Sequence, residues 1–259
     1  MKSPASGGAT TGMLASVTSC AEAMIALEGG ADIIDLKNPA LGALGALDDL
    51  TIRTVVAAVA GRVPVSATVG DLVEMDVGRI VHAVEHMADN GVDYVKVGFF
   101  PGPTSAACLD ALSAHARRGI RLVAVLFGDL GYEDFHVPDF AAAGFAGIML
   151  DTAIKGGGSI RGRIADSQLA EFVAAAQASG LLAGLAGSLA IADIAPLIEL
   201  RPDYLGFRGA LCAGGIRTGG LDAAAFARVR SAICNNGHQR SAASRPTWAT
   251  TALASPSKL

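Results

Sequence analysis

Aromatic and charged residues are both scarce in this chain of 259 residues. Aromatic side chains make up 5% of the sequence, with a single tryptophan, and charged side chains make up 17%. Hydrophobic residues reach 51%, which excludes an intrinsically disordered chain. The interior must therefore consist mainly of Ala, Val, Ile and Leu packed around glycine, of which there are 32. This composition is typical of an α/β protein with one core.

A cluster of basic residues is missing as well. The formal net charge is −4, and it is spread over many positions. Proteins that bind nucleic acid concentrate lysine and arginine on one face, so we expect no nucleic-acid partner. Local positive groups still permit a small anionic substrate.

The sequence also lacks an uninterrupted apolar run of membrane-spanning length. The most apolar segment, residues 181–200, contains Asp193, Pro196 and Glu199. One aspartate at the centre of a membrane helix costs roughly 2.5 to 3.5 kcal/mol. We therefore expect no membrane partner.

The sequence lacks closely spaced pairs of cysteines. The four cysteines, Cys20, Cys108, Cys212 and Cys234, are widely spaced and form no CxxC motif, and a chain of this size needs no disulfides to fold. Residues 1–12 lack the apolar segment of a signal peptide. These features predict reduced thiols in a cytoplasmic protein.

What the sequence does contain is a repeated alternation of short apolar strands and helices. Eight such units can be counted, and the length matches the roughly 250 residues of a (β/α)₈ barrel. We predict a single-domain TIM barrel over residues 13–235, with a flexible N-terminus at 1–12 and a poorly ordered tail at 236–259, which Trp248 could anchor. An open doubly wound sheet is the alternative. No internal repeat is visible beyond the strand–helix cycle. The predicted strands are residues 13–18, 31–37, 64–69, 94–99, 121–127, 147–151, 181–185 and 204–207.

The second strand ends in an aspartate and a lysine that are two residues apart. Asp35 and Lys37 point to the same side because side chains alternate along a strand. Lys96 lies within the fourth strand, Asp151 ends the sixth, and Lys155 follows four residues later. Barrel enzymes place their sites at the carboxyl ends of the strands, and alternate strands supply one interior layer. We therefore expect these five side chains to converge over the barrel mouth.

Three lysines beside two aspartates favour amine catalysis. A lysine attacks a carbonyl only when it is neutral, and a second cation or desolvation lowers its pKa. Carboxylates can orient the amines and move protons. Each residue has an ordinary alternative: Lys37 as a solvated loop lysine, Asp151 as a cap, Lys155 as a loop residue. Lys96 is the hardest to explain this way, since an unpaired buried lysine is costly.

A phosphate site is predicted after the last two strands. Gly187-Ser188 follows the seventh strand and Arg208-Gly209 follows the eighth. Barrel enzymes often hold a phosphate there with loop amides, and an arginine can add charge-assisted bonds. The alternative is a pair of tight turns and a surface arginine. Other arginines that could serve are Arg161, Arg163 and Arg217.

One motif points to zinc but lies in an unsuitable place. His82, Glu85 and His86 match the H-x-x-E-H pattern of the inverzincins. The pattern falls in the middle of a predicted outer helix, far from the strand ends, so we expect no metal. We also expect no cofactor.

Four segments of the sequence resemble the (5-formylfuran-3-yl)methyl phosphate synthase family, also described as 4-hydroxymethyl-2-furancarboxaldehyde-phosphate synthases. They are residues 29–39 (GGADIIDLKNP), 94–98 (YVKVG), 150–155 (LDTAIK) and 206–212 (GFRGALC). The resemblance spans residues 13–233. It implies a TIM-barrel lyase that condenses two glyceraldehyde 3-phosphate molecules into a furan aldehyde phosphate, releasing phosphate and water, in methanofuran-type cofactor biosynthesis.

The same resemblance assigns roles to the clustered residues. Lys37 would form the Schiff base and Lys96 would accept the proton, assisted by Asp35, Asp151 and Lys155. We expect a small sugar phosphate as substrate and a homo-oligomeric assembly.

Two other functions stay open from the sequence. The first is another class I aldolase, of the deoxyribose-phosphate type, and the second is a non-catalytic barrel that senses a sugar phosphate. A decarboxylase motif, Asp-x-Lys-x-x-Asp, fails because the position three after Lys37 is Ala40.

Overall fold

Eight parallel strands close into a barrel in a computed structural model that describes residues 11–237. The strand order is the order of the chain, with one helix after each strand. The predicted TIM barrel is confirmed, and the open sheet is excluded. The strands are β1 (Gly12–Val17), β2 (Ile33–Leu36), β3 (Val65–Thr68), β4 (Tyr94–Phe99), β5 (Leu122–Phe127), β6 (Gly147–Asp151), β7 (Leu182–Leu185) and β8 (Tyr204–Phe207).

The helices form the outer ring, and several begin where the sequence places a capping side chain. Ser19, Asp48 and Asp76 each accept a backbone N–H from the first turn of the helix that follows. The helices are α1 (Cys20–Glu28), α2 (Asp49–Val59), α3 (Val77–Asp89), α4 (Ser105–Arg117), α5 (Val137–Ala142), α6 (Asp166–Ala178), α7 (Ile191–Glu199) and α8 (Ala223–Gly237).

The last helix is longer than its apolar period indicates. The sequence predicts it over residues 222–233, whereas α8 continues to Gly237. Near its end, the Asn236 side chain donates a hydrogen bond to the Ala232 carbonyl, and the helix includes the polar residues Asn235 and Asn236 beyond the predicted end at Ile233. The flexible N-terminus and the tail with Trp248 fall mostly outside the described residues, and those domain boundaries stay predictions.

The strands are buried on both faces, as expected for a parallel barrel. Every residue of β1, β2, β4 and β5 is buried. Inward-facing side chains fill the barrel, and outward-facing ones pack against the helices. The register of β1, β2 and β3 places Ser16, Asp35 and Ser66 side by side.

A repeat that the sequence analysis missed lies at the amino-terminal end of the barrel. Asp32, Asp93 and Asp203 stand just before β2, β4 and β8. Each carboxylate accepts, at 2.8 Å, the N–H of a residue at the start of the preceding strand: Met13, Val65 and Ala183. The repeat ties neighbouring strands together at the face opposite the predicted site.

No helix within residues 11–237 is long and apolar enough to cross a membrane.

Candidate active site

The structure brings the five predicted residues together at the carboxyl ends of the strands. Asp35 lies in β2 and Lys37 directly follows it, Lys96 lies in β4, Asp151 ends β6, and Lys155 lies in the loop after β6. The aspartate repeat on β2, β4 and β8 accounts for part of this convergence, and Asp151 on β6 and Lys155 fall outside it. In each copy of the repeat, the third and fifth residues after the aspartate face inward. They are Asp35 and Lys37 in and just after β2, Lys96 and Gly98 in β4, and Gly206 and Arg208 in and just after β8.

Asp35 and Lys96 form a buried ion pair at the floor of the site. Lys96 Nζ donates to Asp35 Oδ1 at 3.0 Å, and the two side chains are 2% and 0% exposed. The Ser16 and Ser66 hydroxyls donate to the same carboxylate at 3.0 and 2.6 Å. A buried pair is tolerated when its remaining hydrogen-bonding capacity is used, and these serines meet that need.

The pKa values of both partners in this pair are lowered. Burial lowers the pKa of the Lys96 amine below its usual value, and the nearby Lys37 charge lowers it further, against the opposing effect of Asp35. Burial alone would raise the pKa of Asp35, but Lys96 and Lys37 together bring it below the usual value. The carboxylate is therefore ionised while the amine is closer to its neutral form.

Asp151 connects the other two lysines. Lys155 Nζ donates to Asp151 Oδ1 at 2.9 Å, and Lys37 Nζ lies 3.7 Å from Oδ2. The Thr152 amide also donates to Oδ1 at 2.7 Å. Burial would raise the pKa of Asp151, but the Lys155 and Lys37 charges hold it well below its usual range. Burial also lowers the pKa of Lys155, with a smaller contribution from Lys37.

Four of these five groups border a cavity of about 480 Å³ at the barrel mouth, a volume within the range of ligand pockets. Lys37, Lys96, Asp151 and Lys155 line it, whereas Asp35 lies beneath the floor. With all five ionised, three lysines and two aspartates leave one positive charge in excess, which suits an anionic substrate.

A glycine on β8 gives the cavity its depth. Gly206 faces inward, and a Cβ there would come within 3.0 Å of the Ala186 Cβ and 3.5 Å of Leu14 Cδ2. Side chains at this position would fill the space between β1 and β7.

The predicted phosphate loops also border the cavity, through Gly187, Ser188, Arg208 and Gly209. Gly187 has φ +103°, and its Cβ would lie 2.9 Å from Thr152 Cγ2, so glycine fits both the conformation and the space. Ser188 has φ 51°, an uncommon left-handed conformation for a non-glycine residue. Among residues 11–237, no acceptor is present for the amides of Ser188, Leu189, Gly209 and Ala210.

Arg208 stands at the predicted position but is engaged within the protein. Its guanidinium donates to Glu22 at 2.5 and 3.2 Å. It also donates to three backbone carbonyls, those of Ser16, Arg217 and Gly219, at 3.1, 2.8 and 2.6 Å. These bonds use all five N–H groups of an arginine. Phosphate binding by Arg208 stays a prediction, and it would require one of these bonds to be given up.

Of the other candidate arginines, only Arg217 lines the cavity. Its guanidinium donates to the carbonyls of Pro39 and Gly42 at 2.9 Å each, which leaves further donors. Arg161 pairs with Asp166, and Arg163 lies 3.6 Å from Asp129. Arg217 is therefore the candidate that both lines the cavity and has donors still available.

Sequence reasoning missed the residues that support the site. Ser16, Ser66 and Glu22 act through partners on other elements, and no local pattern marks them. The strand register is the signal that reveals the serines, since both are cross-strand neighbours of Asp35.

The residues of the histidine motif make contacts between helices of the outer ring. His86 Nε2 lies 2.8 Å from Asp49 Oδ1 on α2, and Glu85 Oε1 lies 3.0 Å from His115 Nε2 on α4. These contacts link neighbouring helices and lie away from the cavity.

Comparison with known proteins gives consistent matches. The family model described as 4-HFC-P synthase matches residues 13–230. A protein of Methanopyrus kandleri named (5-formylfuran-3-yl)methyl phosphate synthase is 38% identical over 215 residues, covering 77% of this chain and 88% of that protein. A protein of the same name from Methanosarcina mazei is 37% identical over 217 residues, covering 78% and 91%. A protein of Methylorubrum extorquens, to which the same name is given provisionally, is 43% identical over 222 residues, covering 85% and 91%.

Solved structures share the fold at low sequence identity. Phosphoribosyl anthranilate isomerase from Thermus thermophilus aligns with a TM-score of 0.57 at 15% identity, covering 86% of this chain and 98% of that one. The 3-hexulose-6-phosphate synthase of Salmonella typhimurium aligns with a TM-score of 0.57 at 16% identity, covering 87% and 100%. At such identities the likeness concerns the barrel alone.

Proposed function

The chain belongs to the 4-HFC-P synthase family, and from this premise we propose that it condenses two glyceraldehyde 3-phosphate molecules into (5-formylfuran-3-yl)methyl phosphate. The reaction releases phosphate and water and makes the protein a lyase of methanofuran-type biosynthesis. The observation that carries the proposal is the cluster of three lysine amines and two carboxylates around one cavity.

Lys37 is the amine that forms the Schiff base in this proposal. Its side chain is 8% exposed and borders the cavity, whereas Lys96 is 2% exposed and is held by Asp35 at 3.0 Å. Asp151, 3.7 Å from Lys37 Nζ, is placed to pass protons as the carbinolamine loses water.

Lys96 is the proton acceptor at carbon. Its lowered pKa favours the neutral amine, which is the form that can take a proton. Asp35 then stabilises the ammonium that results. Lys155, held by Asp151 at 2.9 Å, assists the proton transfers that accompany loss of phosphate and water.

The substrate phosphate binds at the loops after β7 and β8. The unpartnered amides of Ser188, Leu189, Gly209 and Ala210 supply donors, and Arg217 supplies positive charge. Arg208 stabilises the backbone next to this site, since it donates hydrogen bonds to the carbonyls of Arg217 and Gly219.

Incubation of the purified protein with glyceraldehyde 3-phosphate tests the function. We expect a furan aldehyde phosphate, identified by its mass and its near-ultraviolet absorbance. A reversible aldol product would instead indicate another class I aldolase, and binding without turnover would indicate a sensor. Assembly as a homo-oligomer and location in the cytoplasm stay predictions from the sequence, and light scattering after gel filtration tests the first.

A further inference from the structure

An aspartate outside the lysine cluster holds the loop that carries Lys155. Asp129 follows β5, and its side chain is 3% exposed. Its two carboxylate oxygens accept the amides of Ala153 and Ile154 at 2.8 and 2.9 Å. These are the two residues directly before Lys155, so the contact fixes the backbone from which the catalytic side chain extends.

Arg163 holds Asp129 and the same loop from the other side. Its Nη1 lies 3.6 Å from Asp129 Oδ2, and its Nη2 donates to the Ile154 carbonyl at 3.4 Å. The guanidinium packs so closely on Gly157 that a Cβ there would come within 1.9 Å of Nη2. The loop is thus fixed on its carbonyl side as well as on its amide side.

The far end of the loop is anchored separately. The Ile160 amide donates to the Gly187 carbonyl at 2.9 Å, and the Ser159 hydroxyl donates to Asp193 at 3.1 Å. Between the two anchors lie Lys155 and three glycines, two of which, Gly156 and Gly158, have φ +86°. Glycines have wide conformational freedom, so the loop itself does little to orient the lysine.

A second aspartate makes the same contact on another loop. Asp71, after β3, accepts the amides of Ala43 and Leu44 at 2.9 and 3.0 Å. These amides lie six and seven residues after Lys37, and Lys37 itself is held by strand pairing, since its amide donates to the Val17 carbonyl. Asp71 is therefore a control for kcat: it has the same hydrogen-bond pattern, but the loop that it holds carries no member of the lysine cluster and contacts Arg217 only through the Pro39 and Gly42 carbonyls.

We propose that Asp129 is a positioning residue for the reaction, which sets Lys155 against Asp151 by holding the amides of Ala153 and Ile154. The inference rests on the proposed function. It assigns to Asp129 an effect on the steps that follow imine formation, because Lys155 and not Lys37 depends on this loop.

The test compares Asp129→Asn with Asp71→Asn. An asparagine has one acceptor oxygen and turns an N–H toward the second amide, so each variant loses one loop contact. We expect both to lower the melting temperature, and Asp129→Asn to lower it more, because this variant also loses the ion pair with Arg163. Only Asp129→Asn should lower kcat, by about 10- to 100-fold, since a misplacement of about 1 Å can cost 100-fold. KM should stay within about twofold, since mispositioning acts on transition-state contacts rather than on uniform binding.

Borohydride trapping adds a measurement that a purely structural role would not change. In Asp129→Asn the adduct on Lys37 should form as in the wild type while furan production falls. Equal losses of kcat in the two variants, or loss of the Lys37 adduct in Asp129→Asn, would overturn the inference. Turnover by the wild type is measured first, and its absence would refute the proposed function instead.

If Asp129→Asn does not yield folded protein, Arg163→Gln takes its place. This variant removes the ion pair and leaves the carboxylate acceptors intact, so a smaller fall in kcat of the same kind is expected. A wild-type kcat in Arg163→Gln would then count against the inference.

Discussion

At the scale of single residues, the site depends on charges that are buried and paired. Asp35 and Asp151 each accept several hydrogen bonds, and each lies near two ammonium groups. A lysine such as Lys96 would be too costly in this interior without Asp35. The same arrangement leaves an amine that gives up its proton more readily than an exposed lysine does, which is what imine chemistry requires.

Because the pKa values of the Asp35 and Asp151 carboxyls are lowered, we expect the folded protein to lose stability in acid. Their pKa values are lower in the folded protein than the roughly 3.9 of an unfolded aspartate. The stability they provide is therefore present above that value and is lost as the pH falls through the folded pKa. We expect the urea midpoint to fall progressively as the pH drops below about 4.

Asp151→Asn provides the comparison for this prediction. The variant keeps the shape of the side chain but has no proton to gain, so its midpoint should depend less on pH over the same range. An equally steep dependence in the variant and the wild type would show that Asp151 does not contribute to it.

Two arginines at the barrel mouth should respond differently to substitution. Arg217→Ala should raise KM about 10- to 100-fold, since a charge-assisted hydrogen bond contributes roughly 1.5 to 3 kcal/mol and tenfold corresponds to about 1.4 kcal/mol. Arg208→Ala should mainly lower the melting temperature, because it leaves the buried Glu22 carboxylate without its partner. Steady-state kinetics and thermal unfolding of both variants check this.

Arg161→Ala is the matched control. Arg161 lies in the loop between β6 and α6, pairs with Asp166, and does not line the cavity. The KM of Arg161→Ala should therefore stay at the wild-type value. A wild-type KM in Arg217→Ala, together with a raised KM in Arg208→Ala, would show that Arg208 and not Arg217 binds the substrate phosphate.

At the scale of elements, three of the four even strands, β2, β4 and β8, share one design. An aspartate ties the start of each of β2, β4 and β8 to the strand before it, and the inward positions that follow supply the site. One end of each strand therefore serves stability and the other serves chemistry, as is usual in barrel enzymes.

This division predicts the effect of Asp93→Ala. The substitution removes the acceptor for the Val65 amide and the partner of Arg121, which should cost about 1 to 3 kcal/mol of unfolding free energy. The ratio kcat/KM should not change, since Asp93 lies at the opposite end of the barrel. Urea unfolding and kinetics measure the two effects. Asp89→Ala, at an exposed position on α3, should change neither, and loss of activity in folded Asp93→Ala would contradict this account.

At the scale of the whole molecule, the fold and the convergence of five charged side chains at the barrel mouth could be predicted from the sequence. Strand–helix cycles of this number and length fit a barrel, and a lysine within an apolar strand is costly enough to signal function.

The supporting residues could not be predicted, because their roles depend on contacts between distant parts of the chain. Ser16 and Ser66 matter through strand register, and Asp129 matters through a loop 24 and 25 residues later. Arg208 looked available for phosphate, but its partner Glu22 is 186 residues away in the sequence. A local pattern carries no information of this kind.

Trapping of the imine on Lys37 is the measurement that tests the central claim most directly. Borohydride added during turnover of glyceraldehyde 3-phosphate should reduce a covalent adduct onto the peptide that contains Lys37. Lys37→Arg keeps the charge without a readily deprotonated amine, so it should abolish both the adduct and the furan. Lys96→Met should give the adduct without the furan. An adduct on Lys96 or Lys155 in place of Lys37 would contradict the assigned roles, and the absence of an adduct on any lysine would contradict amine catalysis itself.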